Sequence, residues 1–258
     1  ASTPASDPDV VAVGGTSLFL NPDGSMFFQT GWGNDATRIA DVTDASGNNP
    51  PFYPPVQTGF VYGSGGGPSG YFAKPWYQRG LRGKYRLIPD ISMDADPYTG
   101  VEIIETIDGV LSIGAIGGTS LSCPMFTGLW ALANQYASGG LGLANPYMYA
   151  MPSSYFYDVV PVTSSADVRG RIVEPIGGGL FQIVNETSRT LTAPLDVNTP
   201  FLTALYQGTS TRWYSLSFGT DTGLATHAGW DAVTGLGTPS PTAFSSLPSA
   251  LDSLAKTK

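Results

Sequence analysis

The segment Met125–Tyr136, which reads Met-Phe-Thr-Gly-Leu-Trp-Ala-Leu-Ala-Asn-Gln-Tyr, constrains this chain more than any other. It has almost no polar face, and a helix that is apolar all round is buried. The residues before it, Ile116-Gly117-Gly118-Thr119-Ser120-Leu121-Ser122-Cys123-Pro124, put a serine at the mouth of that helix. There Ser120 meets the positive end of the helix dipole and backbone N–H groups that have no intrahelical acceptor. Such a position suits a nucleophile whose oxygen must lose its proton. It suits a plain N-cap equally well, since serine and threonine are favoured there whether or not they react.

A buried helix needs a large core, and 258 residues are enough for one sizeable α/β domain. Charged residues make up only 12% and hydrophobic ones 41%, with 33 glycines and 21 prolines; this is the balance of a loop-rich fold rather than of disorder. The net charge of −8 leaves no basic stripe to meet phosphates, which argues against nucleic acid as a partner. A low charge density is compatible with work in acid. No apolar run reaches the roughly 18 residues of a membrane span. The single cysteine, Cys123, excludes an internal disulfide and is expected in the core; a reactive thiol has no histidine nearby in sequence to support it. No signal peptide is seen, and a chain that begins at Ala1 without Met implies a processed polypeptide or an excised fragment.

Along the chain, Val10–Gly15 and Ser17–Leu20 read as strands broken by a glycine pair, with a turn at Asn21-Pro22-Asp23-Gly24 and a return over Ser25–Gln29. Residues 42–57 read as surface loop, and Gly63–Gly70 as a place where backbones approach closely. Val101–Glu105 and Val110–Ile113 flank Asp108-Gly109, a hairpin signal that delivers the chain into the serine turn. Ala144–Ala150 suggests a short helix, and Phe244–Leu254 a C-terminal one. Between about 160 and 224 the β-type runs Leu180–Val184, Thr190–Thr192 and Trp213–Phe218 predict an inserted small sheet on the same domain. Asp94 and Asp96 would share a face of an extended strand. The Pro97-Tyr98-Thr99-Gly100 sequence after them favours a supporting turn role over a catalytic pair. Trp76 and Tyr77 could line a cleft, with ordinary packing the simpler expectation.

Gly118-Thr119-Ser120 with Pro124 four residues after the serine resembles the nucleophile motif shared by subtilisin-like peptidases and the sedolisins, the serine-carboxyl peptidases. Four further segments resemble the sedolisins, in the family's order: Pro4–Thr16, Gly65-Gly66-Gly67-Pro68-Ser69, Pro89–Gly100 and Gly229–Pro239. The resemblance covers the first residues to about residue 240, weakly between about 160 and 224. It implies a subtilisin-like α/β fold, with a parallel central sheet flanked by helices and a β-rich insertion. Residues 1–258 would then be the C-terminal portion of one peptidase catalytic domain, with a calcium-binding region at about 157–240.

The same resemblance implies an acid-acting endopeptidase in which Ser120 is the nucleophile. Sedolisins use a glutamate as base, oriented by an aspartate, and a second aspartate in the oxyanion hole. A carboxylate base suits acid, where histidine is protonated, and a carboxylic acid must keep its proton to donate to an oxyanion. Those three acids precede the segment matching Ala1–Thr16, so only the serine carries over. Glu102, Glu105, Glu174 and Glu186 lie in the wrong places, Glu102 and Glu105 on opposite faces of a strand. The missing acids are therefore expected on an N-terminal chain of the same precursor, in a two-chain enzyme of a secreted or otherwise acidic setting that takes peptide or protein substrates. Two alternatives stay open: a catalytically inactive, calcium-stabilised binding or structural subunit, and a Ser-His-Asp subtilase whose histidine lies in the missing part.

The resemblance also implies a calcium site, formed by Asp158, the carbonyls of Val159, His227 and Gly229, and Asp231. All offer the oxygen donors that a hard cation requires. The family usually has glycine where His227 stands, and a positive φ there would strain it. The simpler reading makes Asp158 and Asp231 loop-capping residues.

Overall fold

The computed structural model describes residues 1–41, 56–137, 139–161, 169–177, 180–187, 203–207, 212–219 and 224–240. Of the expected loop over 42–57, residues 42–55 lie outside the described residues, as do the run Thr190–Thr192 and the C-terminal helix Phe244–Leu254, while Val56 and Gln57 open a strand instead, Val56–Gly63. The strands are β1 (Val13–Leu20), β2 (Met26–Gly31), β3 (Gly33–Asp41), β4 (Val56–Gly63), β5 (Gly67–Ala73), β6 (Tyr85–Ile88), β7 (Ile91–Asp94), β8 (Val101–Ile107) and β9 (Val110–Ile116). The helices α1 (Thr119–Tyr136) and α2 (Asn145–Ala150) follow. After them come β10 (Phe156–Tyr157), β11 (Arg169–Gly177), β12 (Leu180–Thr187), β13 (Thr203–Gln207), β14 (Arg212–Phe218) and β15 (Thr238–Pro239).

The chain divides into two units, one of 1–32, 63–161 and 223–258, the other of 33–62 and 162–222. In the first, a three-stranded sheet has the order β2-β1-β7. The β1 strand runs parallel to β7, with Val13 opposite Ile91 and Thr16 opposite Asp94, and antiparallel to β2. The two strands expected around the glycine pair are one continuous strand, because Gly14 and Gly15 take part in the ladder to β7. The turn at residues 21–24 closes as expected, the Gly24 N–H donating to the Asn21 carbonyl at 2.9 Å. The Asp-Gly signal is also met. Asp108 (φ 51°) and Gly109 (φ 79°) both lie at positive φ, the type I′ geometry whose twist matches the flanking strands.

Helix α1 lies on β7 and β1. Ile91, Phe126, Ala144 and Met148 form a buried cluster, joined by Val11, Val13, Met93, Trp130, Phe156 and Leu236. Each large side chain of that set contributes about 1.5–3 kcal/mol by leaving water. One expectation fails here. The helix buries Leu121, Ser122, Phe126 and Ala133 but exposes Cys123, Pro124, Thr127, Gly128, Ala131 and Leu132. Its apolar circumference packs on one side only, and Cys123 is exposed rather than in the core because it faces away from β7.

The second unit is β-structured. Its four-stranded sheet has the order β13-β14-β3-β4, and β11 pairs with β12 as a hairpin. The expected runs at Leu180–Val184 and Trp213–Phe218 fall within β12 and β14, and β14 pairs antiparallel with β3 from Asn34–Phe218 to Asp41–Arg212.

Candidate active site

Ser120 is the second residue of α1, in its first turn, and is exposed. The turn before it is held by backbone alone. Gly118, at φ 81°, precedes the helix without a side-chain cap, and its N–H donates to the Ala95 carbonyl at 2.5 Å. Gly117 lies against the same segment: a Cβ there would fall 2.5 Å from the Pro97 nitrogen and 2.6 Å from the Ala95 oxygen. One turn on, the Ser122 hydroxyl donates to the Asp94 carbonyl at 2.9 Å. Pro124 has no N–H, so the helical bond that would close on the Ser120 carbonyl is missing. Ser120 is thus not spent on capping, and no described residue hydrogen-bonds its hydroxyl.

The segment beneath this turn is Asp94 to Thr99. Asp96 is fully buried; Ser17 donates to its Oδ2 at 2.6 Å and the Tyr98 N–H to its Oδ1 at 2.9 Å. Asp94 is almost fully buried, with Thr99 Oγ1 donating to its Oδ1 at 3.3 Å. The two aspartates brace a turn, as their sequence context led one to expect. Glu102 and Glu105 lie on the exposed β8–β9 hairpin, opposite Ala115 and Ser112. A small apolar pocket under α1, lined by Phe126, Trp130, Met148, Met151 and Phe156 among others, does not include Ser120.

Four of the five expected calcium ligands, Asp158, His227, Gly229 and Asp231, are linked around one loop, and the fifth, Val159, is the buried neighbour of Asp158. Asp158 Oδ2 accepts the Gly229 N–H at 2.8 Å, and Asp231 Oδ2 accepts the His227 N–H at 3.4 Å. Asp231 is fully buried, and its Oδ1 also takes the N–H groups of Val233 (2.8 Å) and Thr234 (2.7 Å). Burial pushes its carboxyl up from the ordinary range, against the hydrogen bonds from Thr234 and Val233. Both carboxylates therefore do cap the loop. Gly229 adopts φ 82°, while His227 does not take a positive φ, so the strain considered for it does not arise. The His227 ring nitrogen Nδ1 lies 3.1 Å from the Ala228 carbonyl. Among the described residues no three His, Cys, Asp or Glu side chains gather as a metal cluster. Backbone carbonyls would have to supply the remaining donors, and such a set matches calcium rather than a transition metal.

Sequence reasoning missed a buried polar network. Arg86 and Asp90 are both fully buried and pair through Nη1–Oδ1 (2.7 Å) and Nη2–Oδ2 (2.6 Å). Tyr149 donates to Asp90 Oδ1 at 2.9 Å and the Ala12 N–H to Oδ2 at 2.8 Å. Tyr77, also buried, donates to the Pro8 carbonyl at 2.6 Å, while Trp76 stays exposed. The available signal was a pair of charges four apart in the apolar run Tyr85–Ile91.

No protein-family model matches the chain. It is 36% identical over 166 residues to sedolisin of Pseudomonas sp. (strain 101), a match covering 64% of this chain and 23% of that protein. To kumamolisin of Bacillus sp. (strain MN-32) it is 31% identical over 180 residues, covering 66% of this chain and 28% of the relative. Among solved structures it resembles Pseudomonas sedolisin, a serine-carboxyl proteinase complexed with two molecules of pseudo-iodotyrostatin. The TM-score is 0.56 at 28% identity, over 97% of this chain and 48% of that one. The chain thus spans about a quarter of the length of the curated relatives it matches, and about half of the solved one.

Proposed function

Since the chain belongs, over the part that matches, to the sedolisin family, we propose that it supplies the nucleophile of an acid-acting serine-carboxyl endopeptidase. The observation that carries this reading is Ser120 itself, exposed in the first turn of α1 with no described partner on its hydroxyl. Its oxygen attacks the scissile carbonyl of a peptide, and a glutamate from an N-terminal chain of the same precursor takes the proton. An aspartic acid of that chain stabilises the oxyanion, and water releases the acyl-enzyme. The completed enzyme works in a secreted or otherwise acidic setting. No described helix is long and apolar enough to cross a membrane.

The β8–β9 hairpin supports the partner chain. Ile104 (70% exposed), Leu111 (64%) and Ile113 (65%) share one face by register; Ile107 and Val110, also exposed, share the other. A two-stranded ribbon apolar on both faces calls for a covering surface.

In the assembled protein, Ser120→Ala is expected to abolish both peptide hydrolysis and labelling by a fluorophosphonate or peptide aldehyde, with an unchanged circular dichroism spectrum. Turnover retained by the variant would remove Ser120 from the mechanism. Absence of labelling in the parent under every condition would favour the inactive-subunit alternative.

The second element of the proposal is calcium, held by the Asp158 and Asp231 carboxylates and the carbonyls of Val159, His227 and Gly229. It would tie the 227–231 loop to the strand end at Tyr157–Asp158. At a hundredfold excess over Kd, a ligand that binds only the folded state adds about 2.7 kcal/mol. Calcium is therefore expected to raise the melting temperature of the parent and not that of Asp158→Asn. Melting that ignores both calcium and chelator would leave the two aspartates as loop caps only.

A further inference from the structure

The first turn of α1 is thinly held by the helix itself. The Leu121 N–H reaches the Gly118 carbonyl at 2.9 Å, but the Ser122 N–H meets that carbonyl only at 3.4 Å. Pro124 donates nothing to the Ser120 carbonyl, because its nitrogen carries no hydrogen. Two firmer bonds leave the turn. The Gly118 N–H donates to the Ala95 carbonyl at 2.5 Å, and the Ser122 hydroxyl to the Asp94 carbonyl at 2.9 Å. Ser120 stands midway between these donors in sequence, and the two acceptors are consecutive carbonyls.

The acceptors sit on a well-held base. β7 ends at Asp94 and is laddered to β1, with Thr16 opposite Asp94. Beyond it the N–H groups of Ala95 (2.9 Å) and Asp96 (3.2 Å) both donate to the Thr16 carbonyl. Ser122 is fully buried, and it uses its hydroxyl in a way that is uncommon within a helix. A helical serine or threonine often turns its hydroxyl back to the carbonyl four residues earlier. Thr127 does so in this same helix, donating to the Cys123 carbonyl at 2.9 Å. The Ser122 hydroxyl leaves the helix instead and joins it to the sheet.

We propose that Ser122 is a positioning residue for Ser120: together with the Gly118 N–H it clamps both ends of the serine turn to the end of β7. The Gly118 anchor is main chain and survives a change of side chain, whereas the Ser122 anchor is a single hydroxyl. Without that hydroxyl the turn is held at its Gly118 end alone and can swing about it. Such a swing moves the Ser120 oxygen relative to its base and to the scissile carbonyl, which affects the reacting geometry more than the binding of the rest of a peptide. The catalytic consequence rests on Ser120 being the nucleophile; the holding of the turn does not.

The test compares the parent, Ser122→Ala and Ser92→Ala in the assembled protein. Ser92 is the control, because it too is fully buried and its hydroxyl donates to a carbonyl outside the turn, that of Gly237 at 3.3 Å. Amide hydrogen exchange of the Gly117–Cys123 peptide should quicken about fivefold or more in Ser122→Ala, the equilibrium worth of one ordinary hydrogen bond. In Ser92→Ala it should match the parent. Peptide hydrolysis by Ser122→Ala should show kcat lower by about tenfold or more with KM nearly unchanged, the pattern of a lost transition-state interaction. Ser92→Ala should keep the parent's kcat. Should the alanine variant fail to fold, Ser122→Cys, close in volume and only a weak donor, is read by the same two measurements. Exchange in the turn that stays at the parent's rate, or that quickens equally in Ser92→Ala, would overturn the proposal. So would a loosened turn with an unchanged kcat. A parent in which Ser120 is inert would defeat the peptidase reading, and the exchange comparison would still decide whether Ser122 holds the turn.

Discussion

Asp90→Ala is expected to cost about 3–5 kcal/mol, the usual penalty for removing one partner of a buried ion pair. Folded domains are stable by only about 5–15 kcal/mol, so the change would consume a third or more of the total. Arg86 and Asp90 are both fully buried and meet fork to fork. Burial alone would lower the Arg86 pKa, but the hydrogen bonds and charge of Asp90 raise it above its ordinary value, so the guanidinium keeps its charge. Without Asp90 that charge is left in a dry interior, and the Ala12 N–H and the Tyr149 hydroxyl lose their acceptor. Burial, followed by the charge of Asp90, pushes the Tyr149 phenol well above its ordinary range, so it serves as a donor at any working pH.

The double replacement Arg86→Met with Asp90→Leu should recover part of the loss, because no lone charge is then buried. Recovery would be incomplete, since Tyr149 and Ala12 still lack an acceptor. Urea denaturation midpoints for the single and double variants measure both. A single-variant loss below about 1 kcal/mol, the worth of one ordinary hydrogen bond, would mean that the pair is not a keystone of this core.

Gly117→Ala is expected to abolish most Ser120 reactivity while leaving the chain folded. The new Cβ would lie 2.5 Å from the Pro97 nitrogen and 2.6 Å from the Ala95 oxygen, both main-chain atoms that no rotamer can move aside. Overpacking of this kind costs about 1–3 kcal/mol of stability. The larger effect is positional. The turn must back away from Ala95, which carries the Gly118 hydrogen bond, and a displacement of about 1 Å at a reacting group costs about 100-fold. The labelling rate of Ser120, read beside the melting temperature, separates the two terms. Gly128, exposed on the same helix with nothing within 4 Å of an added Cβ, is the control. Gly128→Ala should leave stability unchanged or raise it by about 0.5–1 kcal/mol. Equal labelling rates for parent and Gly117→Ala would show that Ser120 does not depend on this close approach.

The local features were legible because they rest on short-range rules. The Asp108-Gly109 turn needs two residues that tolerate positive φ, and this dipeptide supplies them. The Gly-Gly-Thr-Ser sequence before an apolar run places a serine in a first helical turn, and Ser120 stands there. The grouping of Asp158 with the 227–231 loop was legible only by resemblance, since nothing local links residues so far apart.

What the sequence determined by itself was the turns at residues 21–24 and 108–109 and the place of Ser120 in the first turn of α1. These depend on backbone preference and hydrophobic period, which neighbours in the chain decide. Which face of an apolar helix is covered is not set locally. Thr127 and Leu132 lie in the same apolar stretch as Phe126 and Ala133, yet only the latter two are buried, because β7 lies on that side. Long-range pairing likewise came from tertiary structure alone: β3 with β14, and the Arg86–Asp90 pair with Tyr149. A polar side chain's partner is whatever donor or acceptor packing brings within about 3 Å, and the order of residues does not encode that distance.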